Sequence, residues 1–296
     1  MNRVRCIVVG VDFTEGCRAA LAQGVRFAGA LGATLKVAHF IEPLVVHDLS
    51  EALDEPAAAM SEQLVADARA AWGEFKGAAE TVGALEVRVA HPVTGMIEFV
   101  REVGADLLVL GTRGTSSAEL GAGSVATACV RKGRAKTLLV RPGRLGKFGT
   151  VVVGVDFSAT SREAVAQAAQ VSAMDSARLH IVHAFDPPWR RLHYRAPTAE
   201  ASPDFRKQFS DGLSRRLRAF CREVIGAAQA GVTEYHLLEG RGHGAVMVRC
   251  AHELRADLVV VGTRGRTNLR DLLLGSTAER VLRDSPCGIL TIDSRE

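Results

Sequence analysis

The sequence predicts an α/β protein built from two tandem domains, each an open five-stranded parallel sheet with helices on both faces. Three observations predict it. Short runs rich in β-branched residues alternate with helix-length amphipathic segments, the alternation is completed twice, and matching stretches of the two halves are nearly identical. Asp106-Leu107-Leu108-Val109-Leu110-Gly111-Thr112-Arg113-Gly114 matches Asp257-Leu258-Val259-Val260-Val261-Gly262-Thr263-Arg264-Gly265 at every Asp, Gly, Thr and Arg. Upstream, Val8-Val9-Gly10-Val11-Asp12-Phe13-Thr14 matches Val152-Val153-Gly154-Val155-Asp156-Phe157-Ser158. A 296-residue chain repeated at about half its length divides into domains at 1–145 and 146–296, each able to bury its own core.

In the first half, residues 6–11 form a strand that stops at Asp12. Residues 17–31 carry Ala and Leu at helical spacing, with Thr14 as a cap. Residues 34–40 are the second strand. The stretch 43–61 holds Asp48, Glu51, Asp54 and Glu55 and reads as an exposed connection, followed by a helix over 61–82. Residues 85–90 give a strand, 94–103 a helix, 106–110 a strand, 124–131 a helix and 137–141 the last strand. Pro142, Gly143, Gly146 and Gly149 then mark a linker. The second half repeats the order: strands at 150–155, 178–184, 233–239, 258–261 and 288–292, and helices at 161–173, 203–230, 244–254 and 277–283. Strands separated by helices require right-handed crossovers, hence parallel sheets covered on both sides.

Composition narrows the function. With 47% apolar and 24% charged residues the chain is a soluble globular protein, and a net charge of +4 is too small over this length to imply nucleic acid. No apolar run approaches the roughly 18 residues that span a bilayer. Arg3 and Arg5 precede an apolar run, but Asp12 interrupts it too early for a secretion signal. The six cysteines form no C-x-x-C pair, which fits reduced thiols in a cytoplasmic protein.

The chemistry concentrates where the apolar run ending at Val261 meets Gly262. Gly265 follows, then Gly275-Ser276-Thr277, and Ser276-x-x-Glu279 has the form of a capping box opening a helix. Unpaired amides and the positive dipole end make such a helix N-terminus a phosphate site, with glycines allowing close backbone approach. No Gly-Lys-Ser/Thr follows, so the loop is not a P-loop. Read alone, the glycines are equally a strand terminator and a cap; the repetition favours a ligand loop. Asp12 and Asp156 end the first strands, and ligands of open α/β sheets bind beyond the carboxyl ends of strands. Each is alternatively a simple turn former. Arg264 and Arg266 are candidates to neutralise phosphates, whereas Arg270, beside Asp271, reads as solvated.

His180 and His183 lie three apart in one strand, on opposite faces, so they do not share a metal. His39 occupies in the first half the place of His183 in the second. His243 reads as a surface loop residue, and the basic aromatic segment 189–195 as a solvated loop. No Gly-x-Ser-x-Gly elbow and no His-Glu-x-x-His is present, and no general base stands near the glycine loop. The residues offer a pocket more readily than a reaction.

With these residues in view, the whole chain resembles the universal stress protein family in its tandem form. Its ATP-binding members carry Gly-x2-Gly-x9-Gly-Ser/Thr, which Gly262, Gly265, Gly275 and Ser276 fit in full. The resemblance implies a Rossmann-like fold of the adenine-nucleotide α-hydrolase type and ATP, with Mg2+, as ligand. It implies that Gly262, Gly265, Gly275, Ser276 and Thr277 hold phosphates and ribose, that Gly154, Val155 and Asp156 line the adenine and metal side, and that Leu179 meets adenine through its backbone. A phosphate role for Arg264 is an inference from its place in the loop. It also implies that the last strands of the halves pair as in a dimer; association of two chains and the protein partner are left open.

A weaker first-domain site would use Gly10, Val11, Asp12, Gly111, Gly114, Gly123 and Ser124. Between Gly114 and Gly123 stand eight residues rather than nine, with Glu119 and no arginine. The shortening is expected to draw Gly123 away from the phosphates, and the glutamate to repel them. The expected function is an ATP-binding, nucleotide-dependent stress regulator with at most slow ATPase activity. A scaffold with vestigial sites and a weak ATP hydrolase are the alternatives.

Overall fold

A computed structural model describes residues 4–77, 83–112, 121–188, 203–226, 231–265 and 274–293. The chain splits into two compact units, Met1–Gly146 and Lys147–Glu296. The first contains β1 (Cys6–Gly10), α1 (Glu15–Leu31), β2 (Thr34–Ile41), α2 (Pro43–Leu53), α3 (Ala57–Phe75), β3 (Leu85–Val89), α4 (Pro92–Glu102), β4 (Leu107–Gly111), α5 (Ser124–Lys132) and β5 (Lys136–Val140). Its strands lie in the order β3-β2-β1-β4-β5, all parallel.

The second unit contains β6 (Thr150–Gly154), α6 (Ala159–Asp175), β7 (Arg178–Phe185), α7 (Pro203–Arg222), β8 (Thr233–Glu239), α8 (His243–Glu253), β9 (Leu258–Gly262), α9 (Ser276–Asp284) and β10 (Gly288–Ile292). Its order, β8-β7-β6-β9-β10, is the same and again parallel. In each unit the chain first winds outward from the first strand, then returns to its other side. The reversal opens a crevice between the carboxyl ends of β1 and β4, and of β6 and β9.

The central strands are apolar throughout because both faces are covered: Ile7, Val8 and Val9 are fully buried, as are Val151, Val152 and Val153. The repeated aspartates before β4 and β9 act at the opposite end from the crevice. Asp106 Oδ2 accepts the amides of Arg5 and Cys6 at 2.7 and 3.1 Å, and Asp257 Oδ2 those of Gly149 and Thr150 at 2.6 and 3.1 Å. Each carboxylate thus ties the start of the first strand to the start of the fourth.

The connection expected over 43–61 is largely helical. Pro43 stands in the first turn of α2, where its missing amide costs nothing; Val46 is buried, and Asp54 ends the helix in the left-handed region at φ 52°. α3 accordingly begins at Ala57, four residues before the expected start, and ends at Phe75. α7 ends at Arg222 rather than near residue 230, and residues 78–82, 189–202 and 227–230 lie outside the described residues.

Candidate functional site

The crevice of the second unit is built on the turn after β6. The Val155 amide donates to Val182 O at 2.8 Å, which keeps the chain in the sheet for one more residue. Asp156 then folds it back: its Oδ1 accepts the Ser158 amide at 2.9 Å and the Ser158 hydroxyl at 2.5 Å. Ser158 in turn caps α6 by accepting the Ser161 amide. Between them Phe157 has φ 67°, a strained conformation for a bulky residue. Packing holds it there. Its ring lies 4.6 Å from that of His183 and 5.5 Å, edge-on, from Phe220, with the Arg216 guanidinium 4.1 Å above it.

His183 Nδ1 is 2.8 Å from Val155 O, so the imidazole anchors the peptide just before Asp156. Burial pushes the His183 pKa below its ordinary value. The first unit repeats the device: Phe13 has φ 62°, its ring is 4.9 Å from that of His39, and His39 Nδ1 is 2.8 Å from Val11 O. The two histidines matched in sequence are therefore crevice anchors.

The glycine loop meets this turn. Thr263 donates its amide to Ile292 O at 2.8 Å and accepts the Gly275 amide at 2.8 Å, closing the loop. A Cβ at Gly265 would stand 3.0 Å from Asp156 Oδ2, and one at Gly275 3.3 Å from Thr263 O and 3.8 Å from the Gly265 nitrogen. Asp156, Gly265 and Gly275 thus converge at the N-terminus of α9, in a cradle that side chains would fill. Gly262 serves packing, since its Cβ would meet Thr160 Cγ2 at 2.7 Å, and Gly154 faces Met247 at 3.3 Å.

At α9 and β7 two expectations change. Gly275, not Ser276, is the N-cap of α9, and no side chain caps it, so the capping box does not form and Ser276 is the first helical residue. Leu179 is fully buried and level with Val151 at the start of β7, about 10 Å along the strand from the crevice end. Its backbone does not reach the cradle; His183 and Ala184 occupy that end of β7. Arg264 Nε lies 3.9 Å from the carboxylate of Asp293, whose side chain is buried, while Arg264 itself is half-buried. Arg266 and Arg270 lie outside the described residues.

In the first unit Gly10, Val11, Asp12, Gly111, Gly123 and Ser124 line one cavity of about 260 Å³, together with His39, Met96 and Thr112. Gly114 lies outside the described residues. The Gly123 amide donates to Thr112 O at 2.6 Å, the counterpart of the Gly275 bond. The shorter loop therefore does not draw Gly123 out of place, contrary to expectation. Thr112 Oγ1 is buried without a hydrogen-bond partner among the described residues, whereas Thr263 Oγ1 donates to Ile292 O at 3.2 Å. Cys17, also on the cavity, donates to Asp12 Oδ1 at 2.8 Å, and burial followed by the Asp12 charge pushes its pKa up to about 12. Burial and the Asp12 charge thus disfavour its thiolate.

Comparison with known proteins extends these geometries. The model of the universal stress protein family matches residues 4–141 and again 147–293. A universal stress protein of Thermus aquaticus encoded in the 3' region of a QAH/OAS sulfhydrylase is 30% identical over 147 residues, covering 49% of this chain and 98% of its own. A putative universal stress protein of Staphylococcus aureus is 28% identical over 151 residues, covering 50% of this chain and 86% of its own. The crystal structure of a universal stress protein from Archaeoglobus fulgidus shares the fold over 98% of both chains, with a TM-score of 0.63 at 18% identity. No helix among the described residues is long and apolar enough to cross a membrane. Two matches that together span nearly the whole sequence, on two units of the same strand order, place this chain in the universal stress protein family as a tandem member.

Proposed function

We propose that this universal stress protein binds ATP with Mg2+ in the crevice of its second unit and acts as a nucleotide-dependent regulator. The observation that carries the reading is the closure of the glycine loop. The Gly275 amide bonded to Thr263 O brings Gly265 beside Asp156 at the N-terminus of a nine-residue helix. The chemistry fits the ligand. Glycines leave backbone within reach of phosphate oxygens, the first amides of α9 and the Ser276 and Thr277 hydroxyls would receive them, and the Asp156 carboxylate would hold Mg2+ or a ribose hydroxyl. Val155 and the end of β7 would border the adenine.

A second site in the first unit is favoured by its cavity and by the unpaired Thr112 hydroxyl. It would be the weaker one, because its loop carries Glu119 where the second loop carries arginines. ATP acts in this reading by stabilising the conformation it prefers, not by turnover. Equilibrium dialysis of the nucleotide-stripped protein with ATP and Mg2+, followed by chromatography of the nucleotides, tests both parts. Retention of unhydrolysed ATP is the expected result. Conversion to ADP or AMP at roughly 1 per second or faster would make the protein an enzyme instead. No retained nucleotide would leave the scaffold role.

A further inference from the structure

Away from the crevice, β7 and β8 gather three ligand-bearing side chains that sequence spacing alone does not join. In the parallel ladder His180 is level with Glu234 and Val182 with His236. Residues two apart on a strand share a face, so His180, Glu234 and His236 project together, towards the amino ends of the strands. His180 is buried, His236 partly so, and the Glu234 side chain is exposed.

The distances are those of a coordination shell. His180 Nδ1 lies 3.0 Å from His236 Nε2, and Glu234 Oε2 lies 3.7 Å from the first and 3.9 Å from the second. The centre of the circle through three atoms so spaced is about 2.1 Å from each, the bond length of zinc to imidazole nitrogen and to carboxylate oxygen, and drawing Glu234 in by a few tenths of an ångström would set the ion out of their plane, as a tetrahedral site requires. A hydrogen bond between neutral imidazoles accounts for the first distance. The Glu234 oxygen stands almost equally far from both nitrogens, on a side chain with open solvent available to it.

We propose that His180, Glu234 and His236 form a binding site for one Zn2+ ion. Two imidazoles and one carboxylate suit zinc, whereas Mg2+ and Ca2+ prefer all-oxygen shells. Three protein ligands leave a fourth position for water. Arg178, two residues before His180, opposes a cation there, but it donates to Thr150 Oγ1 at 3.4 Å, and Glu234 supplies the compensating charge. The ion would clip the outer strand β8 to β7 and stabilise the second unit by binding only its folded form. The site is independent of the nucleotide crevice, which lies at the other ends of the strands.

The test uses the full chain stripped with a chelator, titrated with Zn2+ against a chromophoric competitor and with Co2+ by visible absorption. One zinc per chain is expected, with a tetrahedral cobalt spectrum free of sulfur-to-metal charge transfer and a rise in Tm on adding zinc. His236→Ala should weaken zinc more than about tenfold and remove that rise. Glu234→Gln alters an exposed side chain without disturbing the fold and should weaken it too. Absence of zinc uptake, uptake unchanged in both variants, or cobalt with sulfur charge transfer from the cysteines would each overturn the assignment.

Discussion

At the scale of single residues, the crevice depends on atoms that are missing. A methyl group at Gly265 would stand 3.0 Å from Asp156 Oδ2, so Gly265→Ala must displace that carboxylate. We expect it to weaken Mg-ATP about tenfold, about 1.4 kcal/mol, with little change in Tm, as measured by calorimetric titration beside a melting curve. His183 gives a pH signature. Burial holds its pKa below the ordinary 6.5, so the folded state favours the neutral ring. Stability from this residue is fully present above pH 6.5 and is lost as pH falls through the depressed folded value. His183→Asn, whose amide can still donate to Val155 O, should flatten the acid limb of a urea-midpoint profile; an unchanged limb would count against His183.

The convergence of Asp156, Gly265 and Gly275 was legible in the sequence because the repeat flags these positions twice. Leu179 was placed at the start of its strand, where it stands; its adenine role came from the family resemblance and not from spacing. The pairing of His180 with His236 was invisible because it depends on the register of strands more than fifty residues apart. What sequence spacing could establish, that His180 and His183 face opposite ways, holds: one meets His236, the other Val155 O.

At the scale of elements, periodicity identified all ten strands, and the crossovers fixed their parallel direction. α2 went unseen because its acidic, exposed surface hides the two signals that build it, a first-turn proline and one buried valine. The N-terminus of α9 was found but its cap was not, since Ser276 has the composition of a cap while the backbone turns one residue earlier, at Gly275. α9 is held in place by α8. A Cβ at Gly244 would meet Arg280 Cβ at 2.5 Å and Thr277 O at 3.0 Å. Gly244→Ala must therefore push the two helices apart. A cost of about 1–3 kcal/mol is expected, read as a lowered denaturation midpoint, together with weaker ATP binding because the amides at the start of α9 move. Weaker stability with unaltered ATP affinity would separate α9 from the ligand.

At the scale of the whole molecule, a duplication has left two crevices with the same anchors and the same loop closure, yet different contents. The second unit keeps the complete glycine pattern; the first has a cavity of about 260 Å³ and a buried hydroxyl without a partner among the described residues. Because Gly123 is pinned as Gly275 is, a displaced Gly123 does not explain a difference in affinity, and the loop charges are left to do so. Glu119→Arg should then tighten the weaker site about tenfold, an effect that shrinks with added salt as charge interactions are screened. The calorimetric titration of the nucleotide-stripped protein with ATP and Mg2+, repeated on Gly275→Val and Gly123→Val, is the most direct test of the central claim. The tighter site is expected to disappear in Gly275→Val and to survive in Gly123→Val. A tight site lost only with Gly123, or ATP binding unaffected by either change, would contradict it.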